Sequence, residues 1–210
     1  MENIYKEYFA FMKKAKSVYI SSIDENTKPE ISYSPCVVDD EKNVYIIVSD
    51  LSKRTSSLVQ GRNVSLMFIE PEDQCTEIYV RIRLIFECST KQIERKNEKW
   101  NEQIPVFLDK FGDIINILKS LSDFKMFCFS PVSGSYVKGF GKAYSIEGGG
   151  LDKISHVNFS ANQKMWYKCE DKQKFLKQHT DSPSNKHHKS LKIRHSCKQQ
   201  HKFYFDYIYI

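Results

Sequence analysis

Every histidine of the chain lies within residues 156–210, and residues 1–155 contain none. Imidazole is the side chain that most often serves as a base or a metal ligand near neutral pH. A function that needs one must therefore take it from the C-terminal part. His156 is the candidate metal ligand because it lies at the end of the last predicted strand; the alternative is an ordinary histidine at a sheet edge. His187 and His188 lie in a polar stretch, which is typical of a solvated tail.

Arg81 and Arg83 are separated by one residue within the predicted strand Ile78–Cys88. Side chains alternate between the two faces of a strand, so both guanidiniums should share one face. That placement is costly unless the face meets water, a partner or an anion, and the guanidinium fork matches carboxylates and phosphates. The pair therefore predicts an anion site, with a solvated strand face as the alternative.

A second polar group lies where a predicted strand passes into a predicted helix, and it contains Ser49, Lys53 and Arg54. The first turn of a helix has unpaired N–H groups and a positive dipole end, which attract anions. A phosphate site is one interpretation, and an ordinary capped helix is the other. Further along, Asp123 precedes an apolar run, where it could end a turn, act as a general acid or orient an imidazole from a second chain.

The segment Tyr136–Tyr144 contains two glycines, Gly139 and Gly141, inside the predicted strand Ser135–Ile146. Glycine weakens a strand unless a bulge or a close approach requires the missing side chain. A flat ligand lying against the backbone is one such reason, and a corner of a barrel is another. The sequence leaves both open.

The hydrophobic periodicity predicts a mainly β protein, a β-barrel with peripheral helices. Short turns join the first three strands into an antiparallel meander, and the helices lie around the sheet. The predicted elements are helices over 3–15, Ser49–Gln60 and 91–121 (one or two, broken near Pro105 and Gly112), and strands over Ser17–Ile23, Glu30–Val38, Asn43–Val48, Val64–Ile69, Ile78–Cys88, Phe124–Phe129, Ser135–Ile146 (turning at Pro131–Gly134) and Asp152–Val157.

The net charge of +6 is concentrated at one end of the chain. Residues 161–210 carry eleven Lys or Arg and four Asp or Glu, whereas residues 1–160 are nearly neutral. We therefore predict one domain over 1–158 and a basic, largely disordered tail over 159–210. The basicity belongs to the tail, and the chain has no nucleic-acid motif.

The chain shows no signal-peptide core and no long apolar run, so we expect no membrane span and a cytoplasmic location. None of the six cysteines forms a CxxC pair. Cys36, Cys88 and Cys128 lie in apolar strand patterns, which predicts buried free thiols.

Several segments of residues 5–157 resemble the HugZ/HutZ family of haem-utilisation proteins, within the pyridoxamine-5′-phosphate-oxidase-like, FMN-binding split barrels. The similar segments are KPEISYSPCVVDDEKNVYIIVSDLSKRTSSL, NVSLMFIEPED, VRIRLIFE and LSDFKMFCFSPVSGSYVKGFGKAYSI. VKGFGKAY is the most specific of them. The resemblance implies a homodimer of split barrels that binds haem at the subunit interface. It also implies oxidative haem degradation with an external electron donor and dioxygen.

The resemblance also assigns roles to residues. Arg81 and Arg83 would hold the haem near its propionates or open face, Asp123 would support the axial histidine across the dimer, and His156 is the candidate iron ligand. Two features depart from the family pattern: Ile82 stands where a basic residue is usual, and His156 comes slightly before the customary histidine position. Two alternatives remain, a non-enzymatic haem carrier and an FMN-dependent oxidoreductase with Ser49, Lys53 and Arg54 at the phosphate. The motif beside the haem plane would be Val137, Lys138, Gly139, Phe140 and Gly141.

Overall fold

The structure, a computed structural model, describes residues 2–60 and 63–157. This part of the chain forms eight antiparallel strands and four α-helices. In chain order the elements are α1 (Glu2–Lys14), β1 (Ser17–Ile23), β2 (Pro29–Val38), β3 (Val44–Ser49), α2 (Lys53–Val59), β4 (Val64–Ile69), β5 (Arg83–Ile93), α3 (Glu98–Phe111), α4 (Ile114–Ser120), β6 (Phe124–Val137), β7 (Ala143–Glu147) and β8 (Lys153–His156).

The sheet closes into a six-stranded barrel because β6 pairs with both β5 and β3. The strand order is β3-β2-β1-β4-β5-β6, and the first half of β6 returns to β3. The second half of β6 leaves the closed ring and pairs with β7, which pairs in turn with the edge strand β8. This arrangement confirms the predicted mainly β split barrel with peripheral helices.

Alternate residues of the strands fill the barrel interior, as the period of a strand requires. In β1, Val18 and Ile20 are buried, whereas Tyr19 between them is exposed. Helix α1 packs against the barrel core through Tyr8 and Met12, and the buried Tyr8 hydroxyl donates to the carbonyl oxygen of Leu151 at 2.7 Å. The largest fully buried side chains of this core are Tyr8, Met12, Leu66, Phe68, Leu84, Phe86, Phe127 and Phe129.

A second, smaller core lies outside the barrel, between helices α3 and α4 and strands β2, β3 and β6. It explains why Val44–Ile47 is apolar at every position: Val44 and Ile46 face the barrel interior, while Tyr45 and Ile47 face the helices. Trp100 and Phe107 of α3 are buried in this cluster. A strand covered on both sides shows a continuous apolar run instead of alternation.

The predicted strand bounds around residues 78–137 are wrong in two places. Residues Ile78–Val80 form a 3₁₀ turn, so β5 begins only at Arg83 and extends to Ile93. Strand β6 continues through the predicted turn at Pro131–Gly134, since Glu87 pairs with Ser133 while Cys88 pairs with Pro131. This register shift leaves Val132 as an extra residue on β6, and a bulge is the place where a strand accepts proline.

The predicted helix bounds also need correction. Helix α2 begins at Lys53 with Ser52 as its N-cap, because Ser49 ends β3 instead of starting the helix. Pro105 lies inside α3 on its exposed face and does not break it. Gly112 does end α3, with a φ of 76° that favours glycine.

Other predictions concern cysteines, membrane spans and the tail. Cys36 and Cys88 are free and buried as predicted, and burial raises the pKa of each thiol to about 12, whereas Cys128 is only partly buried. Within residues 2–60 and 63–157, no helix is long and apolar enough to cross a membrane. The predicted tail over 159–210, including its disorder, lies outside the described residues.

Candidate functional site

The predicted site residues fall into two groups at opposite ends of β6. The first, which we call the hairpin site, consists of Arg83, Val137, the loop 138–142 and His156. The second, the Asp123 cluster, consists of the predicted residues Ser49 and Asp123 together with Asp50 and Lys125, which were not predicted. Asp123 precedes the first residue of β6 and Val137 is its last, so about 45 Å of strand separates them at ~3.3 Å per residue.

Arg83 is a half-buried cation on the outer side of the sheet. As the first residue of β5, it pairs with Ile69 of β4 and Val137 of β6. Its Nη1 donates to the carbonyl oxygen of Arg81 at 3.5 Å, and no carboxylate in the described part of the chain forms an ion pair with it. Burial lowers the pKa of this guanidinium. Arginine nevertheless stays charged at neutral pH, so Arg83 can bind an anion.

The prediction that Arg81 and Arg83 share one strand face is wrong, because Arg81 lies before β5. Its Nε and Nη2 donate to the carbonyl oxygen of Glu70, and its Nη1 donates to the carboxylate of Glu72 at 2.9 Å. The Arg81 side chain is thus bonded within the β4–β5 connection. Its role near a propionate remains a prediction.

Gly139 and Gly141 lie in the loop 138–142 that joins β6 to β7, not inside a strand as predicted. The amide of Lys138 donates to the Lys142 carbonyl at 3.0 Å, and the amide of Lys142 donates to the Gly139 carbonyl at 3.1 Å. Gly141 has a φ of 64°, which favours glycine over other residues. Phe140, at the tip of this tight turn, is 63% exposed. The turn therefore presents backbone and one aromatic ring beside Arg83.

His156 and Lys138 hold the loop in place. Nε2 of the exposed His156 donates to the Gly141 carbonyl at 2.7 Å, and its ring packs edge-on against Tyr144 with centroids 5.2 Å apart. The Nζ of Lys138 forms an ion pair with Glu7 of α1. One nitrogen of His156 is thus used within the hairpin site, while its role as a metal ligand remains a prediction.

The Asp123 cluster joins the end of β3 to the start of β6. The Ser49 hydroxyl donates to Oδ2 of Asp123 at 2.6 Å, and the Asp50 amide donates to the Asp123 carbonyl at 2.8 Å. Lys125 forms an ion pair with Asp50 at 2.8 Å. Sequence reasoning missed Lys125, although a lysine within the apolar run Phe124–Phe129 was a usable signal.

Helix α2 starts beside the Asp123 cluster, with Lys53 and Arg54 as its first two residues. A cavity of about 470 Å³ opens between this helix and β6, and Asp50, Thr55 and Lys125 contribute to its wall. Asp50 and Lys125 are the acidic and the basic side chain in this wall, whereas a phosphate pocket is expected to be mainly cationic.

One face of the barrel exposes a row of apolar side chains across strands β2, β1, β4 and β5. Tyr33 pairs with Tyr19, Tyr19 with Met67, and Met67 with Ile85. Ile31 is 73% exposed, Tyr33 59% and Tyr19 42%. We call these five side chains the outer apolar face. Arg83, two residues before Ile85, lies on the same side of β5. Contiguous apolar surface of this kind is typical of an interface.

The described residues contain no cluster of three or more His, Cys, Asp or Glu side chains that could hold a metal ion. A metal bound within the hairpin site would therefore have at most two such side chains as ligands.

The six-stranded barrel, whose strand β6 continues outside the ring and pairs with β7 and β8 in turn, is the fold of the FMN-binding split barrels. The family model described as pyridoxamine 5′-phosphate oxidase matches residues 4–138. The chain belongs to this family and, within it, to the HugZ/HutZ haem-utilisation proteins.

Two bacterial relatives are similar over most of the barrel. Heme oxygenase HutZ of Vibrio cholerae is 31% identical over 147 residues, which are 70% of this chain and 83% of HutZ. A crystal structure of HutZ, described as a heme storage protein, has a TM-score of 0.56 with 29% identity, and covers 60% of this chain and 88% of HutZ. Campylobacter jejuni ChuZ has a TM-score of 0.68 with 27% identity, covering 75% of this chain and 63% of ChuZ.

Proposed function

We propose that this protein binds haem between two copies of the chain and degrades it oxidatively to release iron. The observation that carries the proposal is Arg83, a half-buried guanidinium with no carboxylate partner among the described residues. Haem is flat and apolar and carries two propionates, so it needs a cation at its edge and little side chain against its face. Relatives named as heme oxygenase and heme storage proteins support the ligand class.

The distance along β6 supports a site that two copies share. Asp123 and Arg83 lie near opposite ends of this strand, so one barrel cannot bring them to the same small ligand. The outer apolar face continues to Arg83, and a second copy of the chain would cover it. In the proposed dimer, Asp123 of one copy supports the axial histidine of the other.

The residues of the hairpin site fit haem as a substrate. Arg83 would bind a propionate, and the tight loop 138–142 offers a surface with few side chains beside it. Phe140 could cover part of the apolar ring. Ligation of iron through Nε2 of His156 would require its bond to the Gly141 carbonyl to open, whereas Nδ1 has no partner among the described residues. Haem itself would supply the oxygen chemistry.

We expect the full-length protein to bind hemin saturably, with a shifted Soret band. Adding ascorbate in air should bleach this band and release iron that a ferrous chelator detects. The reason is that an enzyme must activate dioxygen, whereas a carrier needs only affinity. A stable Soret band under ascorbate would reject degradation and leave a carrier, and absence of saturable binding would reject haem as the ligand.

The FMN alternative has weaker support from the geometry. Its phosphate would lie near Ser49, Lys53 and Arg54, but the Ser49 hydroxyl already donates to the Asp123 carboxylate. In the same cavity wall, the Lys125 ammonium is already paired with the Asp50 carboxylate. Purification as a yellow protein with flavin absorbance would reverse this preference.

We expect Tyr33→Glu to convert a dimer into a monomer. A carboxylate within the outer apolar face would lose its hydration when a second copy of the chain covers that face. Light scattering coupled to size-exclusion chromatography would measure the mass. Ile117→Glu on α4 is the matched control, because Ile117 is similarly exposed (57%) but lies on another surface. A dimeric Tyr33→Glu protein, or a monomeric wild type, would contradict this interface.

A further inference from the structure

Asp123 lies in a four-residue turn between α4 and β6. The amide of Phe124 donates to the carbonyl of Leu121 at 3.3 Å, which closes the turn with Asp123 as its third residue. The backbone of this turn therefore decides where the carboxylate points.

A single guanidinium holds both ends of this turn. Arg95, in the connection between β5 and α3, donates through Nη2 to the carbonyl oxygens of Leu121 and Phe124, the latter at 2.9 Å. Its Nη1 donates to the carbonyl of Lys119 in the last turn of α4. These carbonyls are bonded by a residue 24 to 29 positions away in the sequence.

The Arg95 side chain is itself fixed. Its guanidinium carbon lies 5.0 Å from the ring centroid of Trp100, which is buried in α3. A planar guanidinium can stack on an aromatic ring and still donate from its edge, which an ammonium cannot do. The turn is thus held against the α3 core on one side.

On its other side the turn is bonded to β3. The Asp50 amide donates to the Asp123 carbonyl at 2.8 Å, and the Ser49 hydroxyl donates to the Asp123 carboxylate at 2.6 Å. Both bonds need the turn at its present distance from β3. Phe124, the last residue of the turn, also pairs with Ser49 in the β3–β6 ladder. Releasing the Arg95 bonds would therefore free the Leu121 side of the turn, and the movement of that side would weaken both bonds of Asp123.

We propose that Arg95 is the positioning residue of the Asp123 carboxylate. It acts through the backbone of the 121–124 turn and does not touch the ligand. The functional consequence rests on the proposed function, in which Asp123 orients the axial histidine of a haem bound across the dimer. Arg95 would then tune the haem iron from outside the site.

Amide hydrogen exchange on the full-length, haem-free protein tests the positioning directly. In Arg95→Ala, the Asp50 amide should exchange at least about tenfold faster, since its acceptor is no longer held. Arg95→Lys keeps the charge but loses the several donors of the guanidinium. Its Asp50 amide should exchange at a rate between those of wild type and Arg95→Ala. Lys96→Ala is the matched control: it removes a neighbouring exposed charge and should leave Asp50 unchanged. An unchanged Asp50 amide in Arg95→Ala would overturn the inference whatever the ligand.

The hemin complex tests the consequence. Asp123→Ala should shift the Soret maximum by changing the axial ligand field, and Arg95→Ala should shift it in the same direction by a smaller amount. A shift with Asp123→Ala but none with Arg95→Ala would overturn the inference and leave the proposed function intact. A spectrum insensitive to Asp123→Ala would overturn the proposed role of Asp123, while the exchange experiment would still decide the positioning.

Discussion

Replacing Arg83 by alanine is expected to weaken hemin binding by about ten- to a hundredfold. A hydrogen bond to a charged group is worth about 1.5–3 kcal/mol, and each ~1.4 kcal/mol is a factor of ten in the dissociation constant. The loss of binding free energy should be larger than for a fully exposed arginine. The reason is that Arg83 is half-buried and its charge is not neutralised by any carboxylate in the described chain. Titration of the Soret shift measures it.

The controls separate a specific contact from general electrostatics. Lys91→Ala removes an exposed cation from the same strand and should leave the dissociation constant within about a factor of two. Arg83→Lys should recover only part of the affinity, because lysine lacks the two-pronged donor geometry. Arg81→Ala should cost less than Arg83→Ala, since the Arg81 guanidinium is already bonded to Glu70 and Glu72. Equal affinities of Arg83→Ala and wild type would remove the main support for the hairpin site.

Replacing Gly134 by alanine is expected to destabilise the fold more than the same replacement at Gly112, Gly139, Gly148, Gly149 or Gly150. A Cβ atom there would lie 2.5 Å from the Ile85 carbonyl oxygen and would overlap the ring of Phe86. The carbonyl belongs to the β5–β6 ladder and cannot move without breaking pairing. We expect a loss of about 1–3 kcal/mol or more, from a total stability of about 5–15 kcal/mol for an ordinary domain.

Urea unfolding followed by circular dichroism would measure this loss. Gly149→Ala is the control, because an added Cβ there has no atom within 4 Å and its backbone is not in the left-handed region. It should change the free energy of unfolding by less than about 0.5 kcal/mol. A Gly134→Ala protein as stable as wild type would mean that the Phe86 ring and the bulge beside Gly134 can rearrange freely.

Local patterns in the sequence were sufficient for most of the elements and for the class of fold. Alternating burial in β1 and the 3.6-residue period of α1 are properties of neighbouring residues, and both elements lie where they were predicted. The barrel followed from the meander of short strands. The family resemblance to HugZ/HutZ could be recognised from residues 5–157 for the same reason.

The sequence did not determine which polar groups find partners. Arg81 and Arg83 look equivalent in the sequence, yet one is bonded to Glu70 and Glu72 and the other has no carboxylate partner in the described chain. This difference arises because β5 begins at Arg83, and where a strand begins depends on its pairing with β4 and β6. Pairing joins residues far apart in the chain, so no local pattern encodes it.

The same reason explains Gly134 and Arg95. Gly134 suggested a turn in the sequence. In the structure it pairs with Phe86 of β5, and the Phe86 ring occupies the space that a side chain at position 134 would need. Arg95 carried no signal in the sequence, since its acceptors are backbone carbonyls, which every residue possesses. Residue types and their spacing thus determined the strands, the barrel and the list of candidate groups. Only the closed barrel decided which cation is available to an anion and which residue holds the Asp123 turn, because these depend on contacts between distant segments.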